Sequence, residues 1–386
     1  MSVQVPSGAH AAQTRPHRSR SAIRLWLVAA LVVTGFGLLA LSVATYFGAT
    51  YGVQITLLSV LAAAIPLGIV VPTFLWLDRF EAEPTRLLLI AFLWGALVAA
   101  VLAAVTNTSA LAVIEAVSSA QEARAVTAVV VAPVVEESLK GLLVLLIWWR
   151  MRREFDGIID GMVYAGITAA GFAFTENIQY LATAYSEGGA EMLGATFVLR
   201  CLFSPFAHPM FTVATGLGIG VASVSRSRWL RVLAPVLGWL LAVIGHGLWN
   251  LAAVVGGEGI ITIYLLVEVP VFLGFLALVT WARRSEGRLI GRHLTAYVQA
   301  GWLSAAEVGM LASMGRRREA RHWARVNTGR AGLAAMRAFQ DTASELALLR
   351  RRMGHTPVDA PMLADEHALL AALVQARRNF TGLAVT

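Results

Sequence analysis

Residues 129–149 read VVVAPVVEESLKGLLVLLIWW, an apolar stretch that is interrupted by a polar group containing Glu136, Glu137 and Lys140. Roughly 20 mostly apolar residues are enough for a helix to cross the hydrocarbon core of a bilayer. An ionisable side chain at that depth costs free energy, so such residues are candidates for a function. This stretch therefore predicts a membrane-spanning helix that carries part of a functional site.

The composition of the whole chain agrees with a membrane protein. Hydrophobic residues make up 58% of the chain and charged residues 14%, and the mean hydropathy is +0.69, outside the range of soluble globular proteins. A single cysteine, Cys201, excludes an intrachain disulfide and argues against a cysteine-based metal site. The apolar runs predict an all-α, polytopic membrane bundle of about eight transmembrane helices, near residues 25–47, 53–77, 86–106, 126–149, 157–181, 195–222, 232–255 and 260–281.

Charge divides the chain into a basic N-terminus at 1–24, a membrane domain at 25–281 and a basic tail at 282–386. The first two parts together contain 15 basic and 15 acidic residues, whereas the tail contains 16 arginines and 8 acidic residues. The formal charge of +8 therefore lies in the tail. Apolar residues at helical spacing, with short helical patterns at 307–314 and 345–353, predict that the tail is folded and helical.

The connections between the predicted spans show a strong bias in arginine. If the N-terminus is inside, twelve arginines lie on the inner side and one, Arg124, lies on the outer side. This bias follows the positive-inside rule, and a missed or invented span would remove it. The pattern predicts that both termini and the tail are on the cytoplasmic side of the plasma membrane. The twelve inner arginines are Arg15, Arg18, Arg20, Arg24, Arg79, Arg86, Arg150, Arg152, Arg153, Arg226, Arg228 and Arg231.

Ionisable side chains inside the predicted spans are concentrated in spans four to eight. A set that served only packing would be scattered along the chain, so the concentration predicts a functional site among the later helices. The set, with the amides that accompany it, consists of Glu136, Glu137, Lys140, Glu176, Asn177, Arg200, His208, His246, Asn250 and Glu268.

Lys140 lies about one helical turn from both glutamates of span four. It follows Glu136 by four residues and Glu137 by three, so one ammonium group can reach either carboxylate. A lysine beside two carboxylates can hold one of them ionised as a general base. Lys140 is also the only lysine among 31 basic residues, which indicates that this position requires a compact ammonium group. A salt bridge that only fixes helix packing is the alternative.

His208 and His246 are predicted near the middle of spans six and seven, at a depth similar to that of the paired glutamates. Two histidines and a glutamate are the protein ligands of a common catalytic zinc site, in which water occupies the open position. The same side chains without a metal can hold a water between a carboxylate base and imidazole donors. Both arrangements activate water, so both predict a hydrolase.

Six motifs follow one another between residues 70 and 255. They are Trp76–Pro84, Glu136-Glu137-x-x-Lys140, Phe155-Asp156-Gly157-x-x-Asp160-Gly161, Gly171-Phe172-x-x-x-Glu176-Asn177-x-x-Tyr180, His208-Pro209-Met210-Phe211-Thr212 and His246-x-x-x-Asn250. In this order and spacing they resemble the PrsW family of intramembrane proteases, within the wider group that includes the CAAX prenyl endopeptidases. One motif alone would be weak evidence, whereas the ordered series is specific.

The resemblance implies hydrolysis of peptide bonds in a membrane-anchored protein substrate. PrsW-like proteins are linked to regulated proteolysis of anti-sigma factors, so this substrate is implied here. The prenyl-protease relatives have a histidine where this chain, like PrsW, has Glu176, which argues against prenylated CAAX substrates. The resemblance implies that Glu136, Glu137, Glu176, His208, His246 and Asn250 lie at the site. Together with the charge argument for Lys140, the predicted catalytic residues are Glu136, Glu137, Lys140, Glu176, His246 and Asn250. The candidate ligands of a divalent metal such as zinc are His208, His246 and Glu176.

Two other functions compete with proteolysis. The polar cluster suits a proton or ion relay in a transporter, although the inverted repeats that transporters often show are not apparent in the sequence. A catalytically silent scaffold, with the tail as its docking element, is the third function. In the tail, the clusters at Arg316–Arg318 and Arg350–Arg352 suit either anionic lipid headgroups or a solvated surface. No nucleic-acid motif accompanies the basic charge, so no nucleic-acid partner is expected.

Overall fold

The computed structural model describes residues 18–80, 82–152, 155, 157–256, 262–354 and 357–381, with side chains from Ala29 onward. The predicted N-terminal segment 1–24 therefore lies mostly outside the described residues, as do Glu81 and Asp156 of the motifs. Within the described ranges the chain forms helices and no β-strand. The α-helices are α1 (Arg18–Tyr51), α2 (Val53–Leu77), α3 (Thr85–Leu93), α4 (Ala100–Glu115), α5 (Ala120–Val126), α6 (Ala132–Arg150), α7 (Ile158–Phe197), α8 (Ala207–Val224), α9 (Arg228–Val255), α10 (Val269–Gln299), α11 (Ala305–Leu311), α12 (Met314–Met353) and α13 (Ala360–Thr381).

Four π-helical segments adjoin these helices in the part of the chain that the structure describes. Such segments are rare and are frequently found at functional sites. They are Trp94–Ala99 between α3 and α4, Thr127–Val131 between α5 and α6, Val198–Phe203 after α7, and Tyr264–Glu268 before α10.

Six helical stretches of the described chain are long and apolar enough to cross a membrane. One of them, Ile158–Val224, is 67 residues long and contains both α7 and α8, which overlap predicted spans five and six. Predicted span four, which is α6 with the π segment before it, is not among the six because Glu136, Glu137 and Lys140 lie within it. The prediction of an all-α, polytopic membrane bundle is confirmed.

The helix predicted over residues 195–222 is interrupted in the structure. α7 first breaks at Gly188 and Gly189, and the φ of 62° at Gly189 is a conformation that glycine adopts without steric cost. Residues 190–203, the returning segment, then run back along α7, so that Arg200 reaches Glu176. The π segment after α7, which contains Arg200, therefore lies at the depth of Glu176.

A second break, at residues 204–206, separates the returning segment from α8. Pro205 and Pro209 have no backbone N–H, which disfavours a continuous helix through this point. α8 therefore begins at Ala207, and His208 lies in its first turn rather than in the middle of a span as the sequence predicted. His208 Nδ1 lies 3.2 Å from Lys140 Nζ, so the break places the positive end of the α8 dipole beside the acidic turn of α6.

α7 is the central helix of the membrane domain and packs against α2, α3 and α8. Its residues 161–173 are all buried. A Cβ atom on Gly161 would lie 2.1 Å from the carbonyl oxygen of Gly216 in α8, and one on Gly171 would lie 2.0 Å from the carbonyl oxygen of Phe92. These two motif glycines therefore set how closely α7 approaches its neighbours.

The tail forms a second hydrophobic core with the C-terminal half of α10. α10 is continuous across the predicted boundary at residue 282, so the tail begins as an extension of the last membrane helix. Leu294 of α10, Phe339 of α12 and Leu373 of α13 are fully buried in this core, the tail core. The tail is helical as predicted, and the helical pattern predicted at 345–353 is the last part of the longer α12.

Three connections of the membrane domain lie on the same side as the tail. They join α2 to α3, α6 to α7 and α8 to α9. Phe80, between α2 and α3, is buried in the tail core. Glu83, in the same connection, accepts a hydrogen bond from Tyr164 Oη at 2.5 Å, near the start of α7. Arg226, between α8 and α9, donates to the carbonyl oxygen of Gly354 at 2.8 Å. These are connections that the arginine bias assigns to one side, so the structure agrees with their relative arrangement, while the absolute orientation stays a prediction.

Candidate active site

α6 carries three charged side chains of the candidate site on adjacent turns. Glu137 and Lys140 are fully buried, and Glu136 is 5% exposed. Lys140 Nζ donates to Glu137 Oε1 at 2.9 Å and to Glu136 Oε2 at 3.4 Å. The ammonium group also lies 3.9 Å from the centre of the Phe172 ring on α7. One ammonium group therefore contacts both carboxylates, as the spacing along the helix predicts.

His246, on α9, is oriented by Glu137. Its Nδ1 lies 3.0 Å from Glu137 Oε1, and Thr212 Oγ1 donates to Glu137 Oε2 at 2.7 Å. Because an ionised carboxylate only accepts hydrogen bonds, the imidazole Nδ1 carries a proton, and in the neutral tautomer of this ring Nε2 presents a lone pair. Nε2 lies 3.8 Å from Glu136 Oε2. The lone pair of His246 is therefore held on the side of Glu136.

His208, at the start of α8, lies between Lys140 and Glu176. Its Nδ1 is 3.2 Å from Lys140 Nζ, and its Nε2 is 2.7 Å from Glu176 Oε2. An ammonium group only donates, so Nδ1 is the acceptor and Nε2–H donates to the carboxylate. The rings of His208 and His246 meet edge to face, with centroids 5.0 Å apart. Two histidines from different helices thus converge beside the glutamates of a third helix.

Glu176, on α7, is paired with Arg200 from the returning segment. Arg200 Nη2 donates to Glu176 Oε2, and Arg200 Nε donates to Asn177 Oδ1 at 2.9 Å. The guanidinium group also lies 3.9 Å from the centre of the Tyr180 ring. The side chains of Arg200 and Glu176 are 15% and 17% exposed, more than those of the other ion pairs in the cluster. This pair forms the most open part of the site.

The site contains three carboxylates but two permanently charged basic side chains. Glu137 pairs with Lys140, and Glu176 pairs with Arg200. His208 Nδ1 accepts from the Lys140 ammonium group and therefore carries no proton. Glu136 has the longer contact with the ammonium group, at 3.4 Å. Its carboxylate is therefore the one that remains available to accept a proton from water or to bind a cation.

One group of side chains among the described residues has the spacing of a metal site. Glu136, His208 and His246 each offer a ligand atom within 4.8 Å of the others, and all three are buried. Glu176, which the sequence placed in the ligand set, lies outside this group and contacts His208 instead. A carboxylate with two imidazoles is the donor set of many catalytic zinc sites. Glu137 gives His246 the carboxylate partner that metal-bound histidines usually have.

Asn250 contacts the backbone that precedes α6. Its Nδ2 donates to the carbonyl oxygen of Ala128 at 2.8 Å, within the π segment Thr127–Val131. Trp94 Nε1, in another π segment, donates to the carbonyl oxygen of Leu139 at 3.0 Å. These bonds fix α6 against α9 on one side and against the α3–α4 helix on the other. In this geometry Asn250 positions the helix that bears the glutamates, because it donates to the backbone before that helix and not to the carboxylates.

Three further side chains interact with the cluster, and none of them was selected from the sequence as a catalytic residue or metal ligand. They are Thr212 on Glu137, Asn107 whose Nδ2 donates to Glu136 Oε1 at 3.3 Å, and buried Glu268, which interacts electrostatically with His246. The threonine belongs to the histidine motif of α8, so its position in that motif was a signal. The asparagine follows directly on predicted span three and was overlooked because it lay outside the span. Glu268 was identified as an intramembrane charge, but it belonged to no motif.

The acidic connection of the first motif contacts α7 and the tail. Asp78 Oδ2 accepts from the backbone N–H of Glu83 at 2.8 Å, which closes the connection on itself. Glu83 is bonded to Tyr164, and Phe80 packs into the tail core. This motif therefore joins two helices of the membrane domain to the tail.

Comparison with known proteins gives a consistent family assignment. Residues 83–275 match the family described as PrsW family intramembrane metalloprotease. Protease PrsW of Geobacillus kaustophilus is 30% identical over 194 residues, which cover 47% of this chain and 80% of that protein. Protease PrsW of Oceanobacillus iheyensis is 27% identical over 236 residues, which cover 61% of this chain and 100% of that protein. No solved structure matches the chain significantly.

The matched region is half of the chain and contains every side chain of the cluster described above. It begins just before α3 and ends in the second turn of α10, so the tail lies outside it. The ordered motifs, the apolar helices that hold them and the matched relatives agree with one another. The chain belongs to the PrsW family of intramembrane proteases.

Proposed function

We propose that this protease cleaves membrane-anchored protein substrates with a water molecule that is activated at Glu136. The observation that carries the proposal is the meeting of Glu136 with His208 and His246 inside a bundle of apolar helices. Glu136 shares the Lys140 ammonium group with Glu137 and has the longer contact with it, which leaves its carboxylate suited to accept the proton of an attacking water. The family match favours proteolysis over an ion-coupled transporter. Anti-sigma factors are the substrate class that the family resemblance implies.

Each neighbour of Glu136 has a role that follows from its contacts. Glu137 holds the Nδ1 proton of His246, which keeps the Nε2 lone pair directed towards Glu136. Glu176 holds the Nε2 proton of His208 in the same way. Second carboxylates of this kind fix the tautomer and the ring orientation of a histidine. We therefore assign Glu136 to the activation of water, and Glu137 and Glu176 to positioning.

The donor set also suits a divalent cation such as zinc. Glu136, His208 and His246 would hold the ion, because one carboxylate and two imidazoles match zinc in ligand type. His208 would bind through Nδ1 in exchange for its contact with Lys140, since its Nε2–H is held by Glu176. Such an ion would make the bound water more acidic and would polarise the peptide carbonyl. Without the ion, the same carboxylate accepts the proton directly. We propose the metal-bound form, in agreement with the description of the matched family.

The purified full-length protein is expected to cleave single-span test substrates and to retain about one zinc ion per chain. A chelator should remove the ion and stop cleavage, and zinc, but not magnesium, should restore it, because imidazole ligands favour zinc. Metal content measured by mass spectrometry is the second readout. Cleavage by metal-free protein would overturn the metal proposal and leave a glutamate-type peptidase. A protein that moves ions across vesicles and cleaves nothing would contradict the protease function.

We also propose that both termini and the tail face the cytoplasm, on the basis of the arginine bias. Cysteines introduced at the exposed positions Val117 and Glu187 should react with a membrane-impermeant reagent in intact cells, and one at Ser227 should react only after lysis. The native Cys201 is buried, so the labelling background should be low. Labelling of Ser227→Cys in intact cells would contradict the proposed orientation and indicate the opposite one.

A further inference from the structure

We propose that the exposed face of α10 binds an anionic phospholipid where this helix leaves the membrane. Two adjoining grooves share Arg288. The apolar groove, with a volume of ≈ 430 Å³, is lined in part by Ala277 and Trp281. The basic groove, with a volume of ≈ 250 Å³, is lined in part by Arg292 and by Arg351 of α12. Together they form a surface, the α10 groove, that is apolar at one end and cationic at the other.

The residues of the α10 groove follow one face of the helix. Ala277, Trp281, Arg284, Arg288 and Arg292 are separated by three or four residues, which is the spacing of neighbours on a helix surface. All five are exposed, whereas the opposite face of α10 is buried in the two hydrophobic cores. The face changes from apolar to basic within a single turn. A ligand on it must therefore be amphipathic with an acidic head.

The change of polarity coincides with the end of the predicted last span at residue 281. α10 continues without a break to Gln299, so the basic part of the face stands just outside the hydrocarbon region. Trp281 is 50% exposed, and tryptophan is enriched at this boundary in membrane proteins. The apolar end of the groove is thus level with lipid acyl chains, and the arginines are level with headgroups.

The arginines of the α10 groove are available to an anion. As far as the chain is described, no acidic side chain lines the two grooves. The arginine salt bridges in the described chain use Arg200, Arg350 and Arg377, none of which lines a groove. A guanidinium group stays charged and bonds two phosphate oxygens at once. Basic pockets between helices at this level suit phospholipid headgroups. Because Arg351 belongs to α12, a bound headgroup would also tie the tail to the last membrane helix.

Native mass spectrometry of the full-length protein tests this proposal. Protein incubated with equal amounts of phosphatidylglycerol and phosphatidylcholine should retain the anionic lipid preferentially. Arg288→Gln combined with Arg292→Gln should lower that retention by about tenfold or more, the size expected when charge-assisted hydrogen bonds to phosphate are lost. Arg325→Gln combined with Arg330→Gln removes the same charge from exposed positions of α12 and should retain the lipid as the wild type does.

Three results would overturn the lipid site. They are undiminished retention by the Arg288/Arg292 variant, an equal loss in the Arg325/Arg330 control, and complete displacement of the lipid by excess inorganic phosphate. The last result would show a site for a free anion, because soluble phosphate makes no use of the apolar end. If the double variant does not fold, Arg351→Gln repeats the test from the tail side of the groove. Arg351 lies outside the membrane-spanning stretches, so its substitution leaves the apolar part of α10 intact.

Discussion

Glu136→Gln is expected to lower the rate of substrate cleavage by at least about 100-fold, the scale of losing a general base. The amide keeps the shape of the side chain but cannot accept a proton from water at neutral pH. Lys140 keeps its shorter bond to Glu137, so the variant should remain folded. The measurement is the cleavage rate of a single-span substrate by purified protein, alongside thermal unfolding of the same sample.

Glu115→Gln is the matched control, because it makes the same chemical change at an exposed position at the end of α4. It should cleave at the wild-type rate. Glu137→Gln should lie between the two, with a loss of about 10- to 100-fold, since partners that orient a metal-binding histidine have effects of this size. Equal cleavage by wild type and a well-folded Glu136→Gln protein would remove Glu136 from the reaction.

Lys140→Met is expected to cost both activity and stability. Lys140 is fully buried and bonds Glu137 and His208, so methionine would leave a buried carboxylate without its cation. Breaking a buried ion pair from one side typically costs about 3–5 kcal/mol. We expect a clear fall in the midpoint of thermal unfolding, measured by intrinsic tryptophan fluorescence, together with loss of cleavage.

A second substitution separates charge balance from catalysis. Lys140→Met combined with Glu137→Gln removes both members of the pair, so much of the lost stability should return. Activity should stay low, because His246 has then lost its carboxylate partner and Glu136 has lost its contact with the ammonium group. A Lys140→Met protein with wild-type unfolding and wild-type cleavage would show that the ammonium group is needed for neither.

The contacts within α6 could be predicted because helix geometry alone determines them. Glu136, Glu137 and Lys140 are three or four residues apart, and the structure joins them as that spacing requires. The pairing of Glu176 with Arg200 could not be predicted in this way. It depends on the break at Gly188 and Gly189, which reverses the chain between two residues that a simple list of spans places on separate helices.

The ligand set shows the same division. The sequence selected both histidines and expected them to converge from different helices, and it paired them with Glu176. In the structure the group with the spacing of a metal site contains Glu136, while the carboxylate of Glu176 contacts Arg200 and His208. Neither contact is visible in the spacing of residues along the chain, since each depends on how one helix is rotated against another.

The sequence by itself determined the apolar helices, the grouping of the arginines in alternate connections and the identity of the ionisable side chains within the apolar stretches. These properties follow from composition and from the repeat of a single helix. Only the tertiary structure decided which carboxylate has the longer contact with the shared ammonium group, where α8 begins and what Asn250 contacts. Those features depend on breaks in the helices and on side chains far apart in sequence, such as Glu137 and His246, which meet only when the helices pack.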